Sequence, residues 1–329
     1  MPTAIRNETT PVTKAVASAP AGIASGSGAL CAPVGVAERN RDWPAIGGLA
    51  LYHLLALLAF LPWFFSWTGV ALGALGMFVY GTLGINLCYH RALTHRGLLL
   101  PKWLERTLVT LGVCCLQDTP GRWVAIHRLH HRHVDEQRDP HSPLVTLLWG
   151  HMGWIIVQNH DTADMAVYGR FAPDVLKDPY YLGLEQHDLW LVWINLAQWL
   201  LYFGSGFGAG WLLHGQLAPA IQFAVSVWLW GVIVRTVVVW HITWSVNSLA
   251  HRWGYQTYAT GDNSRNNWFV AWISNGEGWH NNHHADPGAA AHCHQWWEFD
   301  VTWRTIQLLE YVGLAKNVVR PKVWARAQR

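Results

Sequence analysis

Residues 43–88 read WPAIGGLALYHLLALLAFLPWFFSWTGVALGALGMFVYGTLGINLC, 46 positions without a Lys, Arg, Asp or Glu. A helix rises about 1.5 Å per residue, so the run can cross a hydrocarbon core of about 30 Å twice, as two helices of about 20 residues. The turn between them is expected near 62–69, where Pro62 and Gly69 interrupt the pattern. Residues 189–234 form a second charge-free run of 46, with its turn in the Gly-rich stretch 204–215. The apolar pattern then continues to Ala250, broken only by Arg235. The expected spans are about 43–65, 69–89, 189–210 and 218–250. That describes an all-α integral membrane protein with four transmembrane helices in two hairpins. A soluble core has no use for two such runs.

Charge placement agrees. Of the 23 Lys and Arg, four precede residue 43, ten lie between 89 and 188, eight follow 251, and Arg235 is left over. With four spans, 22 fall on one side, which the positive-inside rule makes cytoplasmic. Both termini and a helical cap formed by 90–188 and 251–320 are then cytosolic, the membrane domain running over 41–320. Arg235, inside a span, is either a functional group or a structural partner for a backbone carbonyl or lipid phosphate. Residues 101–116 are apolar but hold Lys102, Glu105 and Arg106, as an interfacial or re-entrant helix would. Residues 1–40, rich in Ala, Thr, Ser, Gly and Pro, are expected to be a disordered tail, and 321–329 a short C-terminal one. The tail lacks the apolar segment of a secretory signal; its Ser and Ala leave a transit peptide open.

Composition narrows the function. Only 13% of the 329 residues are charged, against about 25% in soluble proteins. The 23 Trp suit long membrane–water boundaries. A net charge of +3, with no basic stripe, excludes nucleic acid as a partner. The five Cys form no CxxC pair, so neither a disulfide framework nor a zinc ribbon is indicated.

Histidine is the outlier, at 19 residues. Three clusters stand out: His90 with His95; His127, His130 and His131; and His280, His283 and His284. His251 closes the fourth span, four residues after Asn247. All fall on the cytoplasmic side. Residues i, i+3 and i+4 share a helix face, so each HxxHH box can aim three imidazoles at one point. His90 and His95 are about 140° apart on an ideal α-helix and are expected to reach different metals. By chance an HxxxxH should occur roughly once at this histidine content and an HxxHH roughly 0.06 times, so the second and third boxes carry the signal. Nine imidazoles exceed one metal's needs and suit two. Imidazole serves Zn, Cu, Fe and Ni, but a structural zinc takes four ligands, usually with Cys. An all-nitrogen pair without thiolate points to redox iron and dioxygen. His53, His214 and His241 read as ordinary core or interface residues.

These boxes and their surroundings resemble the acyl-CoA Δ9-desaturases, the stearoyl-CoA desaturase type of membrane fatty acid desaturase, in a bacterial-like form. The matching stretches include Leu83-Gly84-Ile85 before His90-Arg91, Asp139-Pro140-His141-Ser142-Pro143, Asn247-Ser248 with His251, Gly261-Asp262-Asn263-Ser264, Gly276-Glu277-Gly278-Trp279 before the third box, and Trp296-Trp297-Glu298-Phe299-Asp300. The resemblance implies four membrane helices under a cytosolic cap, two irons on the nine histidines, and Asn247 binding one through water. It implies an acyl tunnel kinked at Gln117, Trp123, Thr243 and Trp244 and closed at Phe78 and Thr82. The last two lie on one helix face, about 12–18 Å before His90. The third box is followed by Ala285-Asp286-Pro287-Gly288-Ala289-Ala290-Ala291, where the resemblance leads one to expect a basic segment.

The expected activity is O2-dependent insertion of a cis double bond, Δ9 by the resemblance, into a saturated acyl chain. Two external electrons are needed. No HPGG haem motif occurs, so the donor is a separate ferredoxin, or cytochrome b5 with a reductase. The acyl group rides on CoA, a lipid or a carrier protein, which the sequence leaves open. A bacterial inner membrane is favoured over the endoplasmic reticulum. The rival is a membrane di-iron hydroxylase or ketolase. A metal transporter would need ionisable ligands within the spans rather than beside them.

Overall fold

A computed structural model describes residues 30–33 and 35–326. Strand β1 (Val36–Arg41) leads into α1 (Trp43–Leu57), which a 3-10 turn, Leu58–Phe60, extends. Helix α2 runs Trp67–Gly76 and continues without a break as a π-helix, Met77–Thr94. The first cap segment holds α3 (Lys102–Val113), α4 (Pro120–Arg132), α5 (Leu147–His151), strand β2 (Val157–Asn159), α6 (Met165–Phe171) and α7 (Pro179–Gln186). Then come α8 (Asp188–His214) and α9 (Leu217–Trp228), the latter passing through a π turn, Leu229–Val234, into α10 (Arg235–Ser248) and Leu249–His251. The second cap segment holds α11 (Trp268–Ile273), α12 (His280–Ala285), α13 (Val301–Tyr311) and α14 (Lys322–Arg326).

Among the described residues, three stretches are long and apolar enough to cross a membrane: Trp43–Phe60, Trp67–Thr94 and Leu217–His251. Only 11% of the first is buried, although it is apolar all round, the condition of a helix bathed in lipid. Helix α8 has 27 residues but is diluted by Asn195, Gln198 and four tryptophans, and is not among the three. Local chemistry sets the ends. The Asp42 carboxylate accepts from the Ala45 N–H at 3.0 Å and starts α1. The Ser66 hydroxyl accepts from the Gly69 N–H at 3.0 Å and starts α2, closing the first hairpin over residues 61–66. Gly215, at φ +63°, turns α8 into α9, at the end of the Gly-rich stretch where the turn was expected.

Small residues let these helices approach. A Cβ on Gly206 or Gly210 of α8 would sit 3.0 Å from the Cα of Ala224 or Ala220 on α9. Gly69 and Gly73 of α2 meet the backbone of Ser226 and Trp230 in the same way. Arg235 is fully buried where α2, α3, α8 and α10 converge. Its guanidinium donates to the carbonyls of Cys114 at 3.1 Å and Gly231 at 3.2 Å, and to Gln198, and lies 4.1 Å from the Tyr80 ring centre. Two backbone carbonyls are therefore among its partners, beside the Gln198 side chain and the Tyr80 ring. The carbonyl of Cys114, just past α3, is thereby drawn inward to Arg235.

Two boundaries differ from expectation. The tail was expected to run to residue 40, but 36–41 pair antiparallel with β2, Val36 opposite Asn159 and Arg41 opposite Val157. The strand VAERNR lacks apolar alternation, so backbone pairing rather than side-chain pattern orders it. Residues 1–29 lie outside the described residues. At the other end α14 is tied down, with Lys322 Nζ 2.9 Å from Asp286 and the Trp324 indole donating to the His294 carbonyl at 3.2 Å.

Candidate metal centre

The nine box histidines come from α2, α4, the end of the α9–α10 rod, and α12, and all turn inward. Their side chains divide into two clusters. One holds His90, His95, His127, His131 and His283, and the other His130, His251, His280 and His284. Two expectations fall. His90 and His95 share a cluster, because the end of α2 is a π-helix: the His95 N–H donates to the His90 carbonyl at 3.1 Å, an i→i+5 bond that brings residues five apart onto one face. Nor does each HxxHH box serve one point. His127 and His131 face the first cluster and His130 the second, while His283 faces the first and His280 and His284 the second. Each HxxHH box thus bridges both clusters.

Four carboxylates fix the rings from behind. His90 Nδ1 lies 2.5 Å from Glu277, His130 Nδ1 3.0 Å from Asp139, His251 Nδ1 3.1 Å from Asp135, and His284 Nδ1 3.0 Å from Asp262. A carboxylate only accepts, so each of these Nδ1 atoms carries the hydrogen and each Nε2 presents a lone pair. The lone pairs converge. His280 Nε2 is 3.0 Å from the Nε2 of both His251 and His284. In the other cluster His131 Nε2 is 3.0 Å from those of His127 and His283, and His283 Nε2 is 3.2 Å from that of His90. One ring hydrogen cannot serve two neighbours, and the buried Nε2 atoms of His95 and His130 have no hydrogen-bond partner among the described residues. A shared cation resolves this. Two nitrogens each about 2.1 Å from one ion and at right angles to each other stand about 3.0 Å apart. The donor set, all imidazole with carboxylates behind, fits a pair of transition-metal ions.

Electrostatics agree for six of the nine rings. Burial, then neighbouring imidazoles, push His95, His127, His131, His280, His283 and His284 well below the ordinary imidazole value, keeping them neutral. For His130 burial acts the same way, but the Asp139 charge and hydrogen bond outweigh it and raise its value. Burial works upward on Asp139 as well; the His130 interaction prevails and holds it down at about 2.

The sequence reading assigned no role to these carboxylates, although Asp139, Asp262 and Glu277 stand in the stretches that carried the resemblance. Glu277 also takes the Arg91 guanidinium at 2.7 Å, and Arg91 in turn donates to Asp300 at 2.9 Å and to the Ala290 carbonyl at 2.8 Å. The end of the stretch expected to be basic, Ala289, Ala290 and Ala291, is instead buried in the core. His292 was also passed over. It is buried 3.5 Å from Glu277, with its ring centre 4.5 Å from that of His283. His53 and His241 are satisfied, as expected. They form a chain in which His53 Nε2 lies 3.0 Å from His241 Nε2, His241 Nδ1 2.9 Å from His151 Nε2, and His151 Nδ1 2.9 Å from the Ser248 hydroxyl.

A cavity of about 340 Å³ reaches the clusters, with His90, His127 and His280 in its wall. Gln117, Trp123, Thr243, Trp244 and Asn247 all line it. The Gln117 amide donates to the Thr243 hydroxyl at 3.0 Å, and Trp123 stacks on His127 with ring centres 5.1 Å apart. Phe78 and Thr82 are not in the wall. On α2 the cavity touches Ile85 and Asn86, and the buried Thr82 hydroxyl is taken by the Asn275 amide at 2.8 Å.

Comparison with known proteins places this arrangement. The fatty acid desaturase family model matches residues 61–296. The chain is 44% identical over 266 residues to an sn-1 stearoyl-lipid 9-desaturase of Anabaena variabilis, covering 81% of this chain and 89% of that one. It is 40% identical over 278 residues to an sn-2 palmitoyl-lipid 9-desaturase of a Nostoc species, covering 84% and 90%. It is 42% identical over 276 residues to an acyl-CoA 5-desaturase of Anemone leveillei, covering 84% and 78%. The chain belongs to the fatty acid desaturase family and is an oxidoreductase.

Proposed function

We propose that this protein is an O2-dependent desaturase that takes one hydrogen from each of two adjacent methylenes of a saturated acyl chain and leaves a cis double bond at the ninth carbon. Two iron ions would be held, one by His90, His95, His127, His131 and His283, the other by His130, His251, His280 and His284, with Asn247 near enough the site to add a contact through water. The observation that carries this reading is the set of buried imidazole lone pairs converging at two points beside the cavity. Iron bound there would supply the oxidising power that an unactivated C–H bond demands, and a separate ferredoxin, or cytochrome b5 with its reductase, would provide the two electrons.

The chain's own residues bind, orient and exclude water. Asp135, Asp139, Asp262 and Glu277 keep the Nε2 lone pairs aimed inward. Trp123 and Trp244 form apolar walls for the acyl chain, and the Gln117–Thr243 bond fixes where those walls meet. Fixed walls select carbons by distance from the head group, which is catalysis by positioning. The acyl carrier is a membrane lipid or CoA, both of which appear in the names of relatives.

In the membrane, α8 acts as the fourth span. It is about 40 Å long at 1.5 Å per residue and hairpins with α9. Both termini and the cap lie in the cytoplasm, and the host membrane is a bacterial inner membrane. Expression in a host lacking desaturases, with mapping of double bonds in its lipids, tests the reading. A product two hydrogens lighter at carbon nine supports it. Unchanged acyl chains with iron bound and reductant supplied would sink it, and a gain of one oxygen would make the protein a hydroxylase.

A further inference from the structure

Two of the membrane stretches carry a histidine that the metal centre does not use, His53 in Trp43–Phe60 and His241 in Leu217–His251. Ionisable side chains are costly inside a membrane and mark function there. Both belong to the chain that runs to His151, at the end of α5, and on to the Ser248 hydroxyl. Every nitrogen in this chain has a partner, but the hydrogens run short. The Leu49 carbonyl lies 2.7 Å from His53 Nδ1 and the Trp244 carbonyl 2.7 Å from the Ser248 hydroxyl, and a carbonyl only accepts. His53 Nδ1 and Ser248 therefore both donate to a carbonyl. With its one hydrogen committed, the hydroxyl accepts from His151 Nδ1 at 2.9 Å. His53 and His151 are left presenting Nε2 lone pairs, at 3.0 and 2.9 Å, to the two nitrogens of His241. His241 fills both contacts only with a hydrogen on each nitrogen, as a cation. When all three rings are neutral, four hydrogens serve five contacts, and one contact sets two lone pairs face to face.

Little else acts on these rings. Among the described residues, the ionisable groups facing His241 are His53 and His151 alone. The Trp240 indole packs on His53, and the Trp244 indole on His241 and His151. On α1 the neighbouring Tyr52 phenol packs on Trp240. Burial pushes His151 below its ordinary value and works against a charge, whereas the missing hydrogen works for one.

The chain stands directly behind the cavity wall. Leu49 and Tyr52 of α1, Trp240 and Trp244 of α10, and Trp154 and Ile155 just past α5 all line the cavity, and the three histidines do not. Three elements thus supply pieces of wall, and the chain ties each to the next. The tie matters most for α1, whose stretch is 11% buried against 44% for each of the other two. We propose that His53, His241 and His151 share one extra proton and act as a latch that holds α1 to α10 and α5 and so fixes the width of the acyl cavity. They are positioning residues. The proposal rests on the cavity being the acyl site of a desaturase. Loss of the proton opens one contact, lets α1 drift and weakens the selection of carbons by distance.

Thermal melts and product mapping of the purified full-length protein test this. The latch exists only in the folded state, so folding raises the affinity for the shared proton. A raised affinity stabilises the fold at low pH, and its contribution is lost as pH rises through the folded value. His53→Phe should therefore lower the melting temperature by a few degrees at about pH 6 and by much less at about pH 9. The amide of His241→Gln carries two hydrogens without a charge, so in that background the effect of His53→Phe should not change with pH. Double bonds made by His53→Phe should spread over neighbouring carbons at every pH with iron content unchanged, and those made by the parent should begin to spread toward about pH 9. A melting difference between parent and His53→Phe that stays constant over this range overturns the shared proton. A product pattern of His53→Phe identical to the parent's overturns control of the cavity. A further metal ion, bound by the parent and missing from His241→Gln, overturns the proton in favour of a metal. If the parent desaturates no acyl chain, the desaturase reading fails, and the melts alone decide the latch.

Discussion

Replacing Asp139 with Asn should loosen one metal and leave the other alone. Asp139 is 1% exposed and accepts three N–H groups: His130 Nδ1 at 3.0 Å, the Asp135 backbone at 2.9 Å and the His141 backbone at 3.1 Å. Asparagine offers one acceptor oxygen, so its NH2 must confront at least one of those donors. A buried donor left unpaired costs about 1–3 kcal/mol. Loss of an outer partner to a metal-bound histidine lowers metal affinity about 10- to 100-fold, or about 1.4–2.7 kcal/mol, and the two figures agree. The effect should be local. His130 belongs to the four-histidine cluster, whereas the ring of His90 in the five-histidine cluster is held by Glu277. Release of iron from the purified protein to a coloured chelator reads this directly. One equivalent should leave about 10- to 100-fold faster than from the parent protein, and the second at the parent rate. Release of both within about two-fold of the parent rate would refute the orienting role of the carboxylate. Equal acceleration of both would refute the division into two clusters.

Other outcomes follow from the same geometry. Thr243→Val removes the 3.0 Å bond to Gln117 and should scatter the double-bond position or cut turnover several-fold with iron content unchanged, read by product mapping beside metal analysis. Gly210→Leu would drive a side chain into Ala220 of α9, 3.0 Å from the new Cβ, and should destabilise the hairpin by about 1–3 kcal/mol, seen as a lower melting temperature in detergent. Burial works upward on Asp174, but its bonds to Arg128 at 2.6 Å and Arg96 at 2.7 Å prevail and hold it at about 2, below its ordinary 3.8. A depressed carboxyl stabilises the fold above its ordinary value and stops doing so as pH falls through the folded one, here between pH 3.8 and about 2. The gap is worth at most about 2.4 kcal/mol, and solvent screening of a partly buried group brings that to about 1 kcal/mol. Asp174→Asn should remove that part of the acid limb in a pH series of thermal melts and lower stability at neutral pH by the same amount.

The hydrocarbon core explains what was legible. It excludes charge over a fixed thickness, so two runs of 46 uncharged residues announced the helices 43–60, 67–94 and 217–251 to within a few residues. The boxes were legible as a set, because nine imidazoles on one side of those helices have few other uses. How they divide was not. The α-helical period separates His90 from His95, and nothing in the sequence signals that α2 widens into a π-helix and brings them together. The sharing of each HxxHH box between two clusters depends on how α4 and α12 face each other, which is a tertiary property. The four carboxylates lie at varied distances along the chain from the histidines they hold, and Asp135 reaches His251 across 116 residues, so no local spacing reveals them. Thr82 shares a helix face with Phe78, but the partner that takes its hydroxyl, Asn275, is 193 residues away.

Metal analysis of the purified protein, washed with a weak chelator, tests the central claim most directly. The account predicts two irons per chain, with no zinc, falling to one in His130→Ala, because the four-histidine cluster then keeps only His251, His280 and His284. One iron per chain in the parent protein, or zinc in place of iron, would contradict it.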